Sequence, residues 1–124
     1  MPEPVSPVRP DPEETLRLVL ARLDDMKAED TVTIDLSGKS TIGDYMVVTS
    51  GRSNRHVGAV ADNVLENLQK AGIRGVRAEG MPHCDWVLID AGDVIVHVFR
   101  PEVRAFYGLE KMWATGRSTE RRAS

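Results

Sequence analysis

WVLIDAGDVIVHVF, residues 86–99, decides how the rest of this chain folds. Two strand-like runs, WVLID and DVIVHVF, are separated by Ala91-Gly92. A small-residue pair between two apolar runs predicts a tight antiparallel hairpin. The stretch is the most hydrophobic in the chain, yet it carries Trp86, Asp90, Asp93 and His97. Each admits two readings. Paired carboxylates can serve acid/base or metal-assisted chemistry, but aspartate also favours turns because its side chain bonds to nearby backbone N–H groups. A tryptophan is a core residue or an interface anchor.

Outward from the hairpin, the hydrophobic period switches between that of helices and that of strands. After it, Pro101 opens a helix whose Val103, Phe106, Tyr107 and Trp113 form an aromatic-rich stripe. Gly108 within that helix costs about 1 kcal/mol relative to alanine, which points to close packing or an irregular turn. Before the hairpin, GVRAEG is a short strand between glycines. Before that, Ser53 caps a helix with Val57, Val60, Ala61, Val64, Leu65 and Leu68 on one face, and Gly72 stops it. DYMVVTS, residues 44–50, is a continuous apolar run suited to a strand covered on both faces. TVTIDL, residues 31–36, alternates strictly: Val32, Ile34 and Leu36 face the core, Thr31, Thr33 and Asp35 face water. The first helix is capped by Asp11, with Pro12 at its first position, Glu13 and Glu14 in the first turn, and Leu16, Val19, Leu20, Leu23 and Met26 as its stripe.

The order is therefore α-β-β-α-β-β-β-α. It predicts an α/β fold with a mixed five-stranded β-sheet and flanking helices. The β-α-β step around the helix from Ser53 to Gly72 is expected to be right-handed and parallel, and the hairpin makes the remainder antiparallel.

A chain of 124 residues fits one domain. Its 41% hydrophobic and 28% charged residues are ordinary for a soluble protein. A net charge of -3 argues against a general nucleic-acid binder, which usually shows a basic domain; no direct sequence-specific nucleic-acid partner is expected, and docking to a protein component of a ribonucleoprotein needs no such charge. Cys84 is the single cysteine, so no intrachain disulfide forms, in keeping with a reducing compartment. No apolar run approaches the roughly 20 residues that span a bilayer, and MPEPVSPVRPDPEE has no signal or transit character. These features predict a cytoplasmic protein without a membrane partner. Five of the seven prolines fall within the first twelve residues, so residues 1–10 read as a disordered or extended tail. ATGRSTERRAS, residues 114–124, reads as a flexible basic tail whose Arg117, Arg121 and Arg122 are solvated or touch RNA phosphate. The domain is expected over residues 11–113.

Four further constellations bear on chemistry. GKS, residues 38–40, resembles the end of a phosphate-binding loop, but the pattern requires glycine where Thr33 stands, inside a strand. SGRSNRH, from Ser50 to His56, is a strand-to-helix junction bearing Arg52, Arg55 and His56. It is either a capped helix with solvated cations or an anion site at a helix N-terminus, for RNA phosphate, an acidic partner or a nucleotide. His83, Cys84, Asp85 and His97 lack the ligand spacing of a metal site. No serine or cysteine nucleophile stands beside a credible base. No catalytic residue, metal site or cofactor is therefore expected.

The sequence from Asp44 to Asp62, DYMVVTSGRSNRHVGAVAD, then EG at 79–80, then the hairpin, then EVRAFYGLEKMW at 102–113, is similar to the ribosomal silencing factor family, also called Iojap-like. The similarity covers about residues 16–113. Its most specific parts are W-x-L-x-D-x-G-D-x-x-V-H and R-x-x-Y-x-L-E-x-x-W, in that order. Met46 stands where the family often has phenylalanine. The resemblance implies a nucleotidyltransferase-like core lacking catalytic residues. Such an enzyme needs a D-x-D pair on one strand face, whereas Asp90 and Asp93 straddle a turn. The resemblance also implies a non-enzymatic translation repressor. It would bind the large ribosomal subunit through the L-fourteen ribosomal protein and sterically block association with the small subunit, damping translation under nutrient limitation. A role in late large-subunit assembly is implied too, as are homodimers. Carried onto this chain, the docking residues would be Trp86, Asp90, Asp93, His97, Arg104, Tyr107 and Glu110. Leu88, Ile89, Val94, Val96 and Val98 alternate around them, with strand register deciding which face the core. The alternative is a nucleotidyltransferase-like enzyme with a nucleotide at the Ser50–His56 junction.

Overall fold

The computed structural model describes residues 11–37, 43–81 and 83–103. Helix α1 spans Pro12–Asp25. Asp11 and Glu14 form a reciprocal capping box at its start, which satisfies donors that the first helical turn leaves open. Strands β1 (Glu29–Asp35) and β2 (Tyr45–Ser50) follow, then helix α2 (Asn54–Lys70), β3 (Arg77–Glu79), β4 (Trp86–Asp90) and β5 (Val94–Phe99). Ser53 caps α2 by accepting the His56 N–H. Gly72, at φ +86°, turns the chain out of the helix in the left-handed region that glycine tolerates.

The sheet is five-stranded and mixed, in the order β1-β2-β5-β4-β3. β1 pairs antiparallel with β2, β2 parallel with β5, β5 antiparallel with β4, and β4 antiparallel with β3. By these directions β3 runs parallel to β2, as expected of the β-α-β step. It does not lie beside β2, however: the hairpin is inserted between them, and β5 takes the place next to β2. The chemistry of the strands explains this. VIVHVF is buried along its whole length and gains from two covered faces, whereas RAE is largely exposed and belongs at an edge.

Both helices cover one face of the sheet. There Val19 and Leu23 of α1 and Val57, Val60, Ala61, Val64 and Leu68 of α2 pack on Val47, Val87, Ile89, Val94, Val96 and Val98. Fully burying an aliphatic side chain of this size contributes about 1.5–3 kcal/mol. The opposite face carries a second cluster of Ile34, Leu36, Met46, Val48 and Phe99, with Val32, Trp86 and Val103 against it.

β1 begins at Glu29, two residues before the alternating run, and its Thr31, Thr33 and Asp35 are exposed as the alternation predicts. The hairpin loop is one residue longer than the sequence suggests, because Asp93 lies in it and β5 starts at Val94. Residues 101–103 are helical, with Val103 N–H donating to the Arg100 carbonyl. The two tails, residues 38–40 and the residues after 103 where a helix was expected, with Arg104, Tyr107 and Glu110, lie outside the described residues. Among the described residues, no helix is long and apolar enough to cross a membrane.

Candidate functional site

Register sorts the hairpin into two faces. Val87, Ile89, Val94, Val96 and Val98 point to the helices. Trp86, Leu88 and Asp90 of β4 share the other face with Ile95, His97 and Phe99 of β5, opposite which they pair. In β3, Glu79 and Arg77 stand beside Leu88 and Asp90. Trp86, Leu88 and Asp90 are half-buried and Arg77 and Glu79 exposed, so this strip presents an aromatic ring, an aliphatic side chain and mixed charge to the outside.

Trp86 is the most constrained side chain of the strip. Its ring stacks on Phe99, with centroids 5.0 Å apart and planes inclined by 26°. Its Nε1–H donates to Nδ1 of His97 at 3.0 Å, across a diagonal of the β4–β5 pair. His97 is 7% exposed, and burial pulls its imidazole down to about 4 from the ordinary 6.5. The backbone also makes room for Trp86: Gly80 has φ +93°, and a Cβ there would run into the Trp86 carbonyl oxygen.

The two aspartates do different work. Asp90 Oδ1 accepts the Gly92 N–H at 2.9 Å, the local bond that favours aspartate at turns. The Asp93 carbonyl accepts the N–H groups of Asp44 and Tyr45 at 2.8 and 3.1 Å and so fixes the start of β2. Around that end of the sheet the charge is negative. The Tyr45 phenol is pushed up by burial and by Glu13, Asp35, Asp44 and Asp11.

At the Ser50–His56 junction several polar groups are engaged within the chain. Ser53 caps α2. His56 Nδ1 accepts the Arg52 N–H at 2.9 Å, and its Nε2 lies 2.8 Å from the Met26 carbonyl at the end of α1. Asn54 Nδ2 donates to the His83 carbonyl and to Asp85 Oδ1. Arg52 lies 3.8 Å from Glu29, with both side chains largely exposed. Gly51 packs so tightly on Val57 that no Cβ fits.

His83, Cys84, Asp85 and His97 do not converge. The Cys84 thiol donates to the Met81 carbonyl at 2.6 Å, and burial, then Asp62 and Asp85, raise its pKa. Asp85 pairs with Arg100 at 3.0 Å, a contact out of line for a hydrogen bond. His97 is committed to Trp86. Among the described residues no group of three or more His, Cys, Asp and Glu side chains could hold a metal ion.

Of the seven docking residues expected from sequence, the structure brings Trp86 and His97 into contact and sets Asp90 on the same face. Asp93 lies beyond the turn, and Arg104, Tyr107 and Glu110 fall outside the described residues. Phe99, Arg77 and Glu79 join the strip unforeseen. Phe99 is two residues from His97 and so was readable as its face-mate. Arg77 and Glu79 depend on the register of β3, which no local signal carries.

Comparison with known proteins shows what the whole chain is similar to. The family model described as "Ribosomal silencing factor during starvation" matches residues 9–123. The ribosomal silencing factor RsfS of Zymomonas mobilis is 48% identical over 128 residues, spanning 100% of this chain and 96% of that protein. The mouse protein named mitochondrial assembly of ribosomal large subunit protein 1 is 30% identical over 99 residues, spanning 77% of this chain and 43% of that one. A crystal structure of a Chromobacterium violaceum protein superposes with a TM-score of 0.82 at 39% identity, covering 85% of this chain and 88% of the other.

Proposed function

The chain belongs to the ribosomal silencing factor family, and on that premise we propose that it is a cytoplasmic translation repressor that docks on the large ribosomal subunit at the L-fourteen ribosomal protein and keeps the small subunit from joining. Such a repressor acts by occupying a surface. It needs no cofactor, no metal and no turnover, only affinity in the right place. A role in late assembly of the large subunit belongs to the same proposal, and the name of the mouse relative is in keeping with it.

The observation that carries the reading is the half-buried Trp86, held by His97 and Phe99 beside Leu88 and Asp90. Aromatic anchors of this kind supply a large part of interface energy. The carboxylates at the Asp93 end of the sheet suit a basic ribosomal partner, which they would steer and orient. The family resemblance adds Arg104, Tyr107 and Glu110 to the proposed surface.

Sucrose-gradient co-sedimentation tests this. The wild-type chain should travel with free large subunits and be absent from assembled ribosomes, and Trp86→Ala should weaken that association about tenfold or more. Equal sedimentation with assembled ribosomes, or none with large subunits, would refute the proposal. Loss of a homodimer in Trp86→Ala, with ribosome association intact, would turn the hairpin into a self-association surface instead.

A further inference from the structure

The strand that holds the core together contains one polar side chain where an aliphatic one would pack. β5 reads VIVHVF, every residue of it is buried, and His97 is its exception. Burying an imidazole costs desolvation that leucine would not incur. The contact that offsets this cost is the bond from the Trp86 indole at 3.0 Å. An Nδ1 that accepts a hydrogen bond carries no proton, so the ring is neutral with its hydrogen on Nε2.

Two of its contacts bear on how the indole is set. Stacking on Phe99 sets the plane of the ring but does not by itself decide which edge points where. The bond to His97 makes that choice, because only one edge of the indole carries an N–H. The pyrrole edge faces His97, and the benzo edge faces away from it. A docking residue immobilised before the encounter has less entropy to lose on binding.

We propose that His97 is a positioning residue for docking: buried behind the surface, it fixes the edge of Trp86 that the ribosomal partner meets. This rests on the docking reading given above. His97 acts through Trp86 and does not itself reach the partner.

Three single variants and one double variant of the full chain test it, with three measurements: titration against isolated large subunits, the indole N–H resonance of Trp86 in the free protein, and the cooperativity of unfolding. His97→Leu keeps the volume and removes the acceptor. Its affinity should fall roughly tenfold, its unfolding should stay cooperative, and the indole resonance should shift and exchange faster with solvent. His97→Asn sets Oδ1 close to the place of Nδ1 and should recover affinity to within about threefold of wild type. Trp86→Phe keeps a ring without the N–H. It should also bind roughly tenfold more weakly, and adding His97→Leu to it should produce no further loss. Wild-type affinity in His97→Leu, failure of His97→Asn to recover it, or additive losses in the double variant would overturn the inference. If His97→Leu does not fold, Trp86→Phe decides alone: unchanged affinity overturns the inference. Failure of the wild-type chain to bind large subunits sinks the docking reading and this inference with it. Wild-type affinity in His97→Leu where Trp86→Ala has lost binding sinks this inference alone.

Discussion

His97 makes the stability of this protein depend on pH in a predictable direction. The folded imidazole titrates near 4 because it is buried, and the unfolded one near the ordinary 6.5. As pH falls, the unfolded chain takes up the proton first, so unfolding is favoured. The neutral ring's contribution is complete above pH 6.5 and is lost progressively down to pH 4. A shift of this size corresponds to about 3 kcal/mol. Urea unfolding at several pH values should therefore show wild type losing about 2–3 kcal/mol more than His97→Asn between pH 7 and pH 4. Parallel curves for the two proteins would mean that position 97 does not titrate in this window. From sequence, the alternating pattern put His97 in a strand, and the D-A-G-D spacing gave Asp90 its turn role. The partner of His97 was not legible, because a diagonal pair exists only once the register of β4 on β5 is set.

Among the elements, the helix boundaries were the most legible, because caps are local. Asp11 with Glu14, and Ser53 three residues before His56, carry their signals within one turn. What the sequence hid was that His56 also joins two helices. Its ring spans from the Arg52 N–H to the Met26 carbonyl and so fastens the start of α2 to the end of α1. His56→Ala removes both bonds and should cost about 2 kcal/mol in thermal or urea unfolding; a loss below about 0.5 kcal/mol would show that solvent replaces them. β3 offers a sharper test. Gly80 closes it at φ +93°, against the Trp86 carbonyl, and any side chain there is both strained and obstructed. Gly80→Ala should lower stability by about 3 kcal/mol. It should also change the near-ultraviolet circular dichroism of the tryptophans, because the ring's own strand is displaced. Unchanged spectra and stability would show that β3 yields freely.

For the whole molecule, the pattern of runs sufficed for a mixed five-stranded sheet with helices, but not for the order of its strands. An apolar run such as VIVHVF says that a strand is covered, not which strands flank it. Nor do the amphipathic stripes of α1 and α2 reveal that both lie on one face. The order places the best-covered strand in the centre and leaves β1 and β3 at the edges. Amide hydrogen exchange should follow that arrangement: slowest in β5, intermediate in β2 and β4, fastest in the three residues of β3. Protection in β3 equal to that in β5 would contradict a core centred on the hairpin.

The central strand is also the last of the five to be synthesised. β2 ends at Ser50, but its parallel neighbour β5 does not begin until Val94. While the intervening chain is being made, β2 has β1 on one side and an unpaired edge on the other. The faces of Met46, Val47 and Val48 that β5 will border are incomplete. Contacts this distant in sequence slow folding, and an open apolar edge invites association with other chains. Nascent chains cut off before Val94 should thus be sensitive to protease and prone to aggregate, and protection should arrive in one step once Phe99 has been added.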